Sequence, residues 1–368
     1  MNKFIPLASP DIREEDILAV NEVLLSGNLV QGKNVQALEQ KLAEYLNIEN
    51  CILLTNGTST LHLILIALGI GKGDEVIIPA FSYIATANVV ELIGAKPIFI
   101  DINIETFNID INKIEKAIGP KTKAIMIVHE FGLTAEAFKI KELCIRNNLF
   151  MIEDAACALG AKEGNSFAGT IGVAGSFSFH PRKAITSGEG GAVVTSNTDL
   201  ANKIRALRNH GIDFTKSDTM DFITAGYNCR MTDFQAALLM SQFSRLDKII
   251  NRKSEIAKRY LSEIKNPFII LPKVPHGKTP SWQTFHVLLR NPLKQKEIII
   301  KLRELGIGVN YGAQCMPEQT YYSLKYGHNI SIEFPTAHDA YKNGLAIPLY
   351  EKLTNEQVTY IIQKINDL

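Results

Sequence analysis

The sequence predicts an α/β protein in two parts: a large domain whose mostly parallel sheet is flanked by helices, and a smaller C-terminal α+β domain. Three observations lead there. Between residues 51 and 195 short, near-continuous apolar runs alternate with stretches of helical periodicity, the pattern of strands buried on both faces. At 368 residues the chain is longer than one core usually organises. Proline density rises at Pro267, Pro272, Pro275 and Pro280, which reads as a boundary. The large domain, with an N-terminal helical segment, is accordingly placed at residues 1–250 and the small one at 251–368.

Each element has its own justification. Asp11 to Asp16 supplies acidic caps for a helix with Ile17, Val20, Val23 and Leu24 at helical spacing, and Ser26-Gly27-Asn28 ends it. Val35, Leu38, Leu42 and Leu46 line one face of a second helix. Strands are then expected at 51–55, 75–79, 96–101, 122–128 and 150–154, separated by helices at 58–68, 84–92, 109–117 and 135–147. Ser176 to Phe179 alternates small polar with aromatic residues, and 192–195 resumes as a strand after the turn Gly188-Glu189-Gly190-Gly191. Helices follow at 199–208 and at 232–250, the latter running on to about 263. The small domain is expected to hold strands at 285–289 and 307–309 and helices at 294–305 and 354–365.

Bulk composition narrows the function classes. A formal net charge of +1 without basic or acidic blocks gives no footprint for nucleic acid or an anionic membrane surface. No apolar run approaches the length of a membrane span, and the N-terminus lacks the apolar core of a secretory signal. Cys51, Cys144, Cys157, Cys229 and Cys315 are dispersed without CxxC spacing, which argues against a disulfide framework and against a metal cluster. A cytoplasmic protein without a bound metal is the reading that follows.

The stretch GSFSFHPRKAITSGEGGAVVT, residues 175–195, singles out Lys183. A lysine between two strands beside a glycine turn is held near backbone and partly shielded from water. Desolvation disfavours its ammonium form, so it can present an amine able to form a Schiff base with a carbonyl, although most lysines are solvated surface groups. Thr55-Asn56-Gly57-Thr58-Ser59 turns from a strand into a helix N-terminus, which suits a phosphate dianion or is simply a cap. Asp154 ends a strand, where it could pair with a cationic ring nitrogen or merely cap the next turn. Tyr83 follows another strand and can stack on a flat ligand or lie in the core. Ser178 offers one more hydroxyl, and Asn228 lies in a polar loop opening a long helix. Together these parts would hold a phosphorylated pyridine aldehyde.

Read in order, these segments resemble the sugar aminotransferases of the DegT/DnrJ/EryC1/StrS family, which are fold-type I PLP-transferases. SGNLVQGKNVQALEQKLAEYL, TNGTSTLHLILIALGIGKGDEVIIPAFSYIATAN, IEDAACALGA, FSFHPRKAITSGEGG, GYNCRMTDFQAAL and LTNEQV follow in the family's order over almost the whole chain. The resemblance implies pyridoxal 5'-phosphate bound to Lys183, which also shuttles the proton. It implies Asp154 on the ring nitrogen, Tyr83 stacked on the ring, and Gly57, Thr58, Ser59 and Ser178 on the phosphate. Asn228 is expected to reach the phosphate of a neighbouring subunit, hence a homodimer with shared active sites.

The implied reaction moves an amino group from glutamate to a nucleotide-linked keto sugar. SFHPRK with TSGEGG is most similar to the perosamine-synthase branch, so C4 of an NDP-4-keto-6-deoxyhexose is the expected acceptor, for O-antigen, lipopolysaccharide or another bacterial surface glycan. A 3-keto sugar, a UDP-N-acetylglucosamine-derived 4-keto sugar, a same-fold dehydratase and a non-catalytic PLP-binding regulator stay open. Three departures stand out. Cys157 occupies the place of the family's usual Gln near the cofactor's ring hydroxyl. Glu130 replaces a small apolar residue after His129. Residues 311–319, YGAQCMPEQ, lack the histidine of the family's substrate loop.

Overall fold

Seven strands make the central sheet of the computed structural model, which describes residues 4–213 and 220–368. They are β1 (Asn50–Leu54), β2 (Glu75–Pro79), β3 (Lys96–Ile100), β4 (Thr122–Val128), β5 (Phe150–Asp154), β6 (Ala174–Ser178) and β7 (Gly191–Thr195). Their spatial order is β1-β7-β6-β5-β4-β2-β3. Neighbours from β6 to β3 are parallel, whereas β7 runs antiparallel to both β1 and β6. β1 and β7 are buried at every position, as the absence of polar alternation in their sequences requires.

Side chains alternate between two cores on opposite faces of the sheet. Along β2, Val76 and Ile78 join the core under α3 (Gly57–Ala67) and the helix Thr198–Arg208, while Ile77 joins the core under the helix Ala137–Arg146. A third cluster packs α2 (Lys33–Leu46) and the helix Asp233–Phe243 against β1 and β7. With helices on both faces, what remains open is the edge where β1, β2, β4, β5 and β6 end. In open α/β sheets that edge is where ligands bind.

The smaller unit is a three-stranded antiparallel sheet, Ile269–Ile270, Phe285–Leu289 and Gly344–Ile347, with its own core of Tyr260, Phe285, Leu302, Val358 and Ile361. The helix Leu246–Glu263 links the two units: Leu246, Ile249 and Ile250 pack in the third cluster, Ile256, Ala257 and Tyr260 in the small core.

Several expectations differ from the structure. The helix expected to run unbroken from 232 to 263 is interrupted at Ser244 and Arg245. There the buried Arg245 guanidinium donates to Asp16 Oδ1 at 2.9 Å, Asp16 Oδ2 at 2.5 Å and the Asp11 carbonyl at 2.7 Å. Ile5 bridges to Ile307 and joins the core of the C-terminal unit, away from the large domain in which the sequence places it. The strand expected at 307–309 is reduced to isolated bridges, Ile5 with Ile307 and Asn310 with Ala346. The proline-rich segment does more than separate two units. Its Lys278–Thr279 pairs with Lys162–Glu163, and Ser281 and Gln283 donate backbone N–H groups to the carbonyls of Gly132 and Phe131 at 2.9 and 3.0 Å. Gly132, at φ +89°, is required for this crossing, because a Cβ there would meet Ser281 Oγ at 2.6 Å.

Candidate active site

At the end of β1 the chain turns into α3 through Asn56, whose side chain caps the helix by accepting from Ser59 N–H at 2.8 Å. Among the described residues the first-turn N–H groups of Gly57 and Thr58 have no acceptor, and they lie at the positive end of the helix dipole. Gly57 and the end of β6 are packed so closely that a Cβ on Gly57 would lie 2.9 Å from Ser178 Cβ. The structure thus brings Gly57, Thr58 and Ser178 into one cradle of donors. Ser59 contributes its hydroxyl, which lies 3.2 Å from Thr55 Oγ1, because its backbone N–H is taken by the cap.

Asp154 closes β5 and is buried. Its Oδ2 accepts from Thr86 Oγ1 at 2.8 Å and its Oδ1 from the Ala156 N–H at 3.2 Å. Burial raises its pKa above the ordinary carboxylate value, with the Thr86 and Ala156 bonds and the Lys183 charge offsetting part of the rise. One residue earlier, strand alternation sends Glu153 to the opposite face. There it accepts from Gly169, Ile171 and Gly172 N–H groups at 2.9, 2.6 and 2.6 Å, and from His129 Nε2 at 2.8 Å. His129 Nδ1 accepts from Ala135 N–H at 3.1 Å, so the ring proton is assigned to Nε2. Glu153 therefore fixes the loop that follows β5, while Asp154 faces the site.

Lys183 lies on the loop between β6 and β7. Thr186 Oγ1 and Ser187 N–H both donate to the Phe179 carbonyl, at 2.7 and 3.1 Å. Gln242 accepts from Thr186 N–H at 3.0 Å and donates to its carbonyl at 2.7 Å. So braced, the loop holds Lys183 half-buried with Nζ 3.1 Å from Cys157 Sγ. Burial raises the Cys157 thiol and the nearby Lys183 charge lowers it, with a net rise. The proline-rich crossing completes this wall: Ser281 Oγ donates to the Cys157 carbonyl at 3.2 Å and Gln283 Nε2 to the Arg182 carbonyl at 3.0 Å.

Two of the expected site residues lie open. Tyr83 is 67% exposed, and its carbonyl accepts from Thr86 N–H at 3.2 Å, which puts it one turn from the group that holds Asp154. Asn228 is exposed beside Cys229, whose carbonyl accepts from Thr55 N–H at 3.0 Å, so it borders the phosphate turn. The segment lacking histidine packs alongside, with Gln314–Cys315 paired to Phe81–Ser82.

Sequence reasoning missed Thr86 and Lys253. Thr86 left no signal, being 68 positions from its partner. Lys253 did leave one: it occupies the apolar stripe of its helix between Ile249, Ile250, Ile256 and Ala257. It is buried, and burial pushes its ammonium down to about 8, with Glu351 opposing and Lys183 adding to the shift. A phosphate cradle, a buried carboxylate and a shielded amine suit pyridoxal phosphate by their chemistry alone, and so does an orphaned buried oxygen on Glu130.

A family model for the DegT/DnrJ/EryC1/StrS aminotransferases matches residues 10–366. The GDP-perosamine synthase of Escherichia coli O157:H7 is 37% identical over 99% of this chain and 98% of its own length. A Streptococcus pneumoniae protein assigned as a sugar aminotransferase, solved in PMP and PLP forms, superposes with a TM-score of 0.93 at 30% identity; for the PMP form the match covers 99% of this chain and 97% of that one. Helicobacter pylori PseC, an aminotransferase involved in the biosynthesis of pseudoaminic acid, superposes at 0.92 with 28% identity and 99% coverage of both chains.

Proposed function

Given that this chain belongs to the DegT/DnrJ/EryC1/StrS aminotransferase family, and so is a PLP-dependent sugar aminotransferase, we propose that it moves an amino group from glutamate to C4 of a nucleotide-linked 4-keto-6-deoxyhexose. The full-length match to a GDP-perosamine synthase carries this reading of the acceptor. The product would serve a bacterial surface glycan such as an O-antigen, made in the cytoplasm.

Bound pyridoxal phosphate supplies an electron sink that acidifies the carbon carrying the amino nitrogen. Lys183 would hold it through Nζ and, once the amine of glutamate has taken that place, would take the α-proton from glutamate at Nζ and return a proton to the sugar carbon in the second half-reaction. Asp154, whose ionised form the Thr86 and Ala156 bonds favour against the rise that burial imposes, would pair with the ring nitrogen. Gly57 and Thr58 N–H groups, with the Ser59 and Ser178 hydroxyls, grip the phosphate, and Tyr83 stacks on the ring. Cys157 packs beside Lys183 and offers only a weak hydrogen bond. Asn228 would reach the phosphate of a second copy, making the enzyme a homodimer with shared sites.

The test is product analysis by mass spectrometry after incubating the protein and glutamate with GDP-, dTDP- and UDP-linked 4-keto and 3-keto sugars. A 4-amino-4,6-dideoxy sugar with stoichiometric 2-oxoglutarate is expected. Exclusive amination of a 3-keto sugar or of a UDP-N-acetylglucosamine derivative would overturn the acceptor assignment, and no 2-oxoglutarate with any acceptor would overturn the donor.

A further inference from the structure

Glu130 has no part in the transfer as proposed above, yet it lies close enough to Asp154 and Lys183 to interact with both. It starts the turn Glu130–Gly132 that follows β4. Asn108 locks that turn, accepting from Glu130 N–H at 2.9 Å and donating to the carbonyls of Leu133 and Thr134 at 3.1 and 3.2 Å. The side chain is 4% exposed, and its Oε2 has no hydrogen-bond partner among the described residues. A buried carboxyl oxygen left without a partner is costly, and a bound ligand is one way the cost is relieved.

Four groups from four places in the chain interact with Glu130: Asp154 at the end of β5, Cys157 on the loop after it, Lys183 on the β6–β7 loop and Ser82 from the strand Phe81–Ser82. Behind it lies a cleft lined by Phe107, Phe131, Trp282 and His286, with the ion pair of Lys273 and Glu105 at its rim. His286 carries no charge there, since burial pushes it down to about 3. Burial pushes the Glu130 carboxyl up to about 8; the Asp154 charge adds to the rise, while Lys183, Ser82 and the Phe131 N–H offset part of it. At neutral pH Glu130 therefore carries a proton to donate.

Pyridoxal phosphate bears its aldehyde between a ring oxygen and a phosphomethyl group, with the ring nitrogen opposite. Once Lys183, Asp154 and the Gly57 turn take the aldehyde, the nitrogen and the phosphate, the ring oxygen is left. Glu130 follows His129, whose N–H donates to the Asp154 carbonyl at 3.1 Å, and its turn packs Gly132 against the carbonyl of Cys157, the residue that touches Lys183. We propose that Glu130 contacts the cofactor, its carboxyl donating a hydrogen bond to the ring oxygen of bound pyridoxal phosphate. The inference rests on the seating of the cofactor described under the proposed function.

Apoprotein is titrated with pyridoxal phosphate at pH 7.0 and 9.5 for the wild type, Glu130→Gln and Glu130→Leu, reading the dissociation constant and the absorption spectrum. At pH 7.0 Glu130→Gln, which keeps a donor, should bind within about threefold of wild type, and Glu130→Leu roughly tenfold more weakly. At pH 9.5 the wild type should lose roughly tenfold relative to Glu130→Gln, because the carboxylate no longer donates. Equal affinity of wild type and Glu130→Leu at both pH values would overturn the proposal. So would a wild-type pH dependence shared by Glu130→Gln, a comparison that decides the matter even where the Leu variant does not fold. Borohydride reduction of the wild type separates the two levels: failure to label Lys183 indicts the seating, and labelling with unchanged Leu affinity indicts Glu130 alone.

Discussion

Replacing Thr86 by valine keeps the shape of a side chain that is almost fully buried and deletes one hydroxyl. That hydroxyl donates to Asp154 Oδ2 at 2.8 Å, and the other carboxylate oxygen has only the Ala156 N–H at 3.2 Å. A hydrogen bond to a buried charge contributes about 1.5–3 kcal/mol. At 1.36 kcal/mol per pK unit, its loss should raise Asp154 by about one to two units beyond the rise that burial already imposes. A neutral Asp154 cannot hold the proton on the ring nitrogen, so the acid limb of cofactor binding should move up in pH by the same one to two units. The assay is the dissociation constant of pyridoxal phosphate, followed by absorbance from pH 5 to 8.5 for wild type, Thr86→Val and Thr86→Ser. The serine variant should restore the wild-type limb. A valine variant whose midpoint stays within about 0.3 of a unit of wild type would refute the reasoning, since one pK unit is the smallest shift the bond strength allows.

Lys183→Ala should abolish turnover and borohydride-stable labelling while changing folding stability by less than about 1 kcal/mol, because among the described residues the half-buried side chain makes one hydrogen bond, to the Cys157 thiol; a denaturant melt checks the second part. Gly57→Ala drives a Cβ to 2.9 Å from Ser178, so cofactor affinity should fall at least roughly tenfold with the melting temperature less affected; an unchanged dissociation constant would contradict the cradle. Arg245→Met leaves the buried Asp16 carboxylate without its cation, while Asp11 keeps Arg13 and Lys352, and should cost about 3–5 kcal/mol by urea unfolding. Burial would raise Asp16, but its bonds to Arg245 more than compensate and it lies below the usual 3.8. The stability it contributes is therefore complete above that value and is lost as pH falls through the lower folded one. In the variant burial is no longer offset by Arg245, so this acid-side loss should shrink or reverse, protonation of Asp16 relieving the penalty as pH falls.

How far the site could be read in the sequence depended on the range of the interaction involved. Asp154 and Lys183 announce themselves locally, one ending an apolar strand, the other framed by a strand and a glycine turn. That Asp154 and not Glu153 faces the ligand follows from a two-residue alternation whose phase only the packed sheet reveals. Tyr83 was read as a stacking residue, yet by itself the chain leaves the ring open. Lys253 was hidden in plain view, because a single cation on an apolar stripe usually escapes to solvent at a helix end, whereas here it lies mid-helix between two cores.

The sequence by itself determined the sheet and its helices, since runs such as VIIP and AIMIV can only be buried strands and the Val35–Leu46 stripe only a one-sided helix. It also narrowed the chemistry on offer, because the Lys183 amine beside a glycine turn, the strand-end carboxylate of Asp154 and the strand-to-helix turn at Gly57 each carry a strong local signal. The tertiary structure alone decided that Thr86 reaches across 68 positions to Asp154, that Arg245 breaks a helix to meet Asp11 and Asp16, and that Glu130 is sealed beside a second carboxylate. Such contacts depend on the desolvation and charge that packing creates, and no local pattern in the chain encodes either.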